Sequence, residues 1–70
     1  LRDDALWAEA RVAAKQGDRE GACEAVTLLV EDLPESRYAP CAGLLCDDAP
    51  ALDEARECRR YIAREIEGSD

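Results

Sequence analysis

Lys15-Gln16-Gly17-Asp18-Arg19-Glu20-Gly21-Ala22 is the stretch that decides the fold. Gly17 offers the left-handed backbone that closes a helix, and Asp18 supplies at once the side-chain acceptor that opens the next, so the chain reverses here. Upstream, residues 3–16 are rich in Ala, Leu, Glu and Arg, with Leu6, Ala10, Ala13 and Gly17 on one stripe at helical spacing. Asp3 or Asp4 caps that helix. Downstream, Ala22, Ala25, Val26, Leu29, Val30 and Leu33 form the apolar face of a second helix, which Pro34 forbids from continuing. The spacing predicts an antiparallel helical hairpin over residues 3–33.

The same logic, applied beyond Pro34, predicts a second hairpin. Ser36 is the natural cap of a third helix, and Pro40 falls in its first turn, where its missing N–H costs nothing. That helix runs to about Cys46, and Asp47-Asp48-Ala49-Pro50 breaks the chain. A fourth helix follows with Ala51, Ala55, Cys58, Ile62 and Ile66 on one side, ended by Gly68. No strand pattern competes, since Val26-Thr27 is the sole adjacent β-branched pair. Laying Gly21-Ala22-Cys23-Glu24 over Glu54-Ala55-Arg56-Glu57 places Leu29 and Leu33 on Ile62 and Ile66, so the two halves match weakly. The predicted fold is all-α: one domain, residues 1–70, of two antiparallel helical hairpins, 3–33 and 36–67, cross-linked by disulfides.

Composition narrows the chemistry. The chain has 70 residues and no His, which removes a His general base, a Cys/His couple and His-ligated metals. Ser36, Ser69 and Thr27 have no base to activate them, so the sequence predicts no enzyme, no cofactor and no metal. Nine Lys plus Arg against 17 Asp plus Glu give a net charge of -8, which repels a phosphate backbone and an anionic membrane surface. No apolar run approaches the roughly 18 residues that would cross a bilayer. Asp47-Asp48 and Asp53-Glu54 lack the loop pattern of calcium binding of the EF-hand kind and serve helix capping and solvation. Arg56, Arg59, Arg60 and Arg64 read as a solvated basic strip on the fourth helix.

Four cysteines in so short a chain point to a disulfide framework and an oxidising compartment. With no Met and no signal-like segment, a mature or excised fragment is expected. The cysteine spacing contains no C-x2-C knuckle, so zinc would need all four thiolates. Heights along antiparallel helices select the pairing. Cys23 and Cys46 lie symmetrically about the turn at Leu33 to Glu35, and Cys41 and Cys58 about the turn near Ala49. Pairing Cys23 with Cys41, or Cys46 with Cys58, sets the partners about five residues apart in height, roughly 7 Å. That exceeds the roughly 4.4–6.8 Å between disulfide Cα atoms. Within one helix Cys41 and Cys46 point roughly 140° apart, which excludes their pairing with each other. The expected bonds are Cys23–Cys46 and Cys41–Cys58, each contributing on the order of 3 kcal/mol for loops of roughly 20 residues.

At Lys15-Gln16-Gly17-Asp18, followed by Ala22, Val26, Leu29 and Pro34, the first hairpin resembles a tetratricopeptide (TPR) repeat, a helix-turn-helix unit of about 34 residues. The run Leu33-Pro34-Glu35-Ser36-Arg37-Tyr38-Ala39-Pro40 is similar to the junction between repeats in bacterial periplasmic TPR proteins of the TolA-binding and outer-membrane-assembly type. The likeness covers residues 5 to 40. The second half lacks the Gly-Asp turn, and the cysteines are not family features. The resemblance implies a periplasmic or otherwise extracytoplasmic interaction module that holds a protein or peptide partner on a concave helical face. Its first-helix positions correspond to Trp7, Arg11 and Lys15, with Leu44 matching in the second unit; a Trp flanked by cations suits an acidic or C-terminal peptide. Covering the core edge is the other role open to Trp7. Two further classes stay open: a small secreted disulfide-rich helical effector or inhibitor without repeat ancestry, and a protein using its thiols directly.

Overall fold

The computed structural model describes residues 2–52 and 56–67. They form helix α1 (Arg2–Lys15), helix α2 (Arg19–Asp32), a short 3-10 helix (Ala39–Leu44) and helix α3 (Arg60–Glu67), with no strand among the described residues. Asp3 and Asp4 sit in the first turn of α1 and Lys15 in its last, each complementing the helix dipole.

The decisive turn is built as its sequence dictates. Gly17 has φ +79°, the Asp18 N–H reaches the Ala13 carbonyl at 2.8 Å, and the Gly17 N–H reaches Ala14 at 3.1 Å. That pair of bonds satisfies the last carbonyls of α1. The Asp18 carboxylate then accepts from the Gly21 N–H at 3.0 Å and caps α2. Helix α2 buries Ala25, Val26, Leu29 and Val30 in one cluster with Leu6, Trp7 and Ala10 of α1, and buries Ala22 as well. Ala10 and Ala22 are fully buried, and their lack of bulk permits close approach. The Leu33 N–H makes a last bond to the Leu29 carbonyl at 2.8 Å before Pro34 stops the helix.

Beyond Pro34 the structure departs from the predicted second hairpin. The expected third helix, from Ser36 to about Cys46, is the six-residue 3-10 turn alone. Gly43 costs about 1 kcal/mol in an α-helix, and the stretch from Ser36 to Cys46 is shorter than the roughly 12–15 residues at which an isolated helix is even marginal. Ser36 accepts from the Tyr38 N–H at 3.2 Å and donates to Asp3 at 2.9 Å, tying this bend to α1 rather than capping a helix. The expected fourth helix begins at Arg60, not near Ala51; residues 51, 52 and 56–59 are irregular. Two anchors hold that approach: Arg56 donates to the Pro34 and Glu35 carbonyls, and Cys58 is bonded to the fully buried Cys41. Ala55 and Gly68, expected on and at the end of that helix, lie outside the described residues.

The two disulfides are Cys23–Cys46, with Cα atoms 5.0 Å apart, and Cys41–Cys58, at 4.8 Å. These are the expected pairs, although Cys58 lies ahead of α3 rather than within a long helix, and Cys46 follows the 3-10 turn. Leu29, Val26, Cys41 and Ile62 are the largest fully buried side chains, so α3 contributes Ile62 to a core otherwise made by the hairpin and the 3-10 turn. No helix of the described residues is long and apolar enough to cross a membrane.

Candidate functional site

Trp7 belongs to the core. Its residue is 3% exposed, and its ring stacks on Tyr38 with centroids 5.2 Å apart and planes inclined by 13°. Of the two roles open to Trp7, this burial fits cover of the core and leaves little of the ring to meet a partner. An α-helical apolar face spans at least ~100°, so adjacent Leu6 and Trp7 both turn inward once the segment after Pro34 folds over α1. The buried Trp7 Nε1 has no hydrogen-bond partner among the described residues, so within them the ring serves packing.

Around Tyr38 a polar clasp closes the end of this stack. The Tyr38 hydroxyl donates to Asp4 at 2.8 Å, and the Arg37 guanidinium donates to Asp4 at 3.0 Å and to the Tyr38 oxygen at 2.9 Å. The guanidinium carbon lies 4.7 Å from the centre of the Tyr38 ring. Arg37 is held above its ordinary value, chiefly by the hydrogen bond to Tyr38 and the charge interaction with it. At the Tyr38 phenol the Arg37 hydrogen bond pulls downward, but lost hydration and the bond to Asp4 push it above the usual phenol range.

The other expected site residues do not join Trp7 in one surface. Arg11 reaches across to α3, pairing with the Glu65 carboxylate at 3.6 Å and donating to the Glu65 carbonyl at 3.2 Å. Lys15 is exposed in the last turn of α1. Leu44 lies elsewhere, 49% exposed at the end of the 3-10 turn. The basic strip is also redistributed, since Arg56 spends its guanidinium on the carbonyls that follow α2. All four cysteines are in disulfides, leaving no thiolate for redox chemistry or zinc. No group of three or more His, Cys, Asp or Glu among the described residues is arranged to hold a metal. Asp53 and Glu54 lie outside the described residues.

Leu44 instead belongs to a groove of about 1030 Å³ between α2 and the 3-10 turn. Leu28, 47% exposed, lines it from α2 along with Thr27, and Leu45 and the bonded pair Cys23 and Cys46 complete its apolar part. The disulfide fixes the spacing of the two walls. Glu20, Glu24, Asp47 and Asp48 form the polar lining with Arg19, and none of these four carboxylates is in an ion pair with a described residue. None of Trp7, Arg11 and Lys15 lines this groove. The sequence carried a signal for it: Leu28 is the leucine of α2 that falls off the buried stripe Ala22, Ala25, Val26, Leu29, Val30. Compared with family models, curated proteins and solved structures, the chain finds no match.

Proposed function

We propose that this chain is a non-enzymatic helical module that binds a protein or peptide partner through the groove between α2 and the 3-10 turn, in an extracytoplasmic space. The observation that carries this is the pair Leu28 and Leu44, about half exposed on opposite walls of one groove in a chain whose Leu6 and Leu29 are buried. Two half-exposed leucines that converge form an apolar patch, which marks interaction surfaces more often than scattered exposed leucines do. The resemblance of the first hairpin to a TPR repeat supports an interaction role. Both disulfides support an oxidising compartment. The short 3-10 turn and irregular stretch after Pro34 favour a second form of the proposal, a small secreted effector or inhibitor without repeat ancestry. Either form engages its partner by the same groove.

The test is a comparison between the wild-type chain and the double variant Leu28→Asp/Leu44→Asp as baits in the native extracytoplasmic extract. Both positions are half exposed, so the variant keeps its helical content. A protein retained by the wild type and lost by the variant is the expected result. Equal retention by both baits sinks the groove as the binding surface. In the same material the chain should weigh four hydrogens less than its reduced form, two per disulfide.

A further inference from the structure

We infer that the occupant of this groove is a cationic amphipathic helix of a partner protein, its apolar residues seated on Leu28 and Leu44 and its Lys or Arg residues meeting the carboxylates around them. This rests on the groove reading and adds the chemistry of the partner. The α2 wall is helical and uses its backbone donors and acceptors internally, and on the facing wall the Leu45 and Cys46 N–H groups are spent on the Ala42 carbonyl, so a partner gains side-chain contacts rather than an added strand. An apolar stripe laid between two walls is the complement that such a groove takes.

Charge sets the rest. Four carboxylates, Glu20, Glu24, Asp47 and Asp48, face a single guanidinium, that of Arg19, around this groove. Four of the other cations are committed elsewhere in the fold. Arg2 pairs with Asp32, Arg11 with Glu65 and Arg37 with Asp4, while Arg56 holds the Pro34 and Glu35 carbonyls. With a net charge of -8 over the whole chain, an anionic segment is repelled and a cationic one is drawn in and oriented. The carboxylates are also exposed, so their attraction is screened by salt.

The experiment uses the intact, oxidised chain and a synthetic helical peptide with Leu at i, i+4 and i+7 and Lys at the flanking positions. Variants with every Lys changed to Gln or to Glu serve as controls. Binding is read by fluorescence anisotropy. The Lys peptide should bind, and raising salt from about 0.1 M to about 1 M, which shortens the screening length from about 10 Å to about 3 Å, should weaken it about tenfold. The variant Glu24→Lys/Asp47→Lys, with unchanged circular dichroism, should cost a similar factor, and Leu28→Asp should abolish binding. Equal binding of the three peptides overturns the charge assignment and leaves the groove standing. Binding of none of them, while the Leu28→Asp/Leu44→Asp bait still loses its natural partner, overturns the cationic helix alone. The chain's own α3 carries Arg60, Arg64 and the half-exposed Tyr61, so sedimentation is run alongside. A dimer abolished by Glu24→Lys/Asp47→Lys would replace the foreign partner by a second copy and overturn the assignment.

Discussion

At the scale of single residues, Gly21 shows how a half-buried helix position is governed by its neighbour's cap. Alanine favours helix over glycine by about 1 kcal/mol, so propensity alone makes Gly21→Ala stabilising. A Cβ at this position, however, runs into the Asp18 carboxylate, approaching its Cγ to 2.9 Å, and also presses to 3.3 Å on the Ala13 Cβ of the facing helix. Moving the carboxylate aside forfeits the bond to the Gly21 N–H, and an N-cap contributes typically about 1 kcal/mol. With the tight contact to Ala13 added, Gly21→Ala lowers the urea midpoint. In an Asp18→Ala background, where the carboxylate is gone, the same change is neutral or stabilising. A raised midpoint for the single variant would show that the cap relocates without loss. Trp7 carries a complementary lesson at this scale: its place beside Leu6 on α1 is plain in the sequence, but its depth depends on Tyr38, which stacks on it from a segment beyond α2.

Among the elements, the first hairpin is legible and the second half is not, for a reason that lies in the range of the forces involved. Gly17, Asp18 and Pro34 act on their immediate neighbours, so they read directly as the end of α1 and both ends of α2. The 3-10 turn and the late start of α3 are fixed instead by contacts distant in sequence: Cys58 with Cys41, and Arg56 with the carbonyls after α2. An apolar pattern such as Ala51, Cys58, Ile62 and Ile66 cannot reveal that such tethers override helix over part of its length. Of the groove, Leu44 is legible only through the resemblance to a repeat, whereas Leu28 stands out by lying off the buried stripe. Helix α3 is eight residues long, below the roughly 12–15 at which isolated helices become even marginal in water. Its order therefore depends on Ile62, on the Arg11–Glu65 contact and on the bond just ahead of it. Replacing both Cys41 and Cys58 by Ser should leave the amides of 60–67 unprotected in hydrogen exchange while those of α1 and α2 stay protected. Full retention of protection in α3 would mean that Ile62 and the Arg11–Glu65 contact suffice to dock it.

For the molecule as a whole, the cross-links substitute for a larger core. Two loops with separations of 23 and 17 residues contribute on the order of 3 kcal/mol each, against a total of roughly 5–15 kcal/mol typical of a folded domain. They also overlap along the chain, since Cys41 and Cys46 belong to different bonds. Any single peptide bond between Cys23 and Cys58 is thus spanned by at least one sulfur bridge. Irregular stretches are where proteases cut first, and those after the 3-10 turn fall within that span. A protease that nicks the protein there once should add one water to its mass and release no fragment until a reductant is supplied. Liberation of a free piece by one such cut would mean that the bridges are not those described. In a protease-rich surrounding the wiring makes the first cleavage silent: the groove, its walls still joined by Cys23 and Cys46, outlasts the continuity of its own backbone.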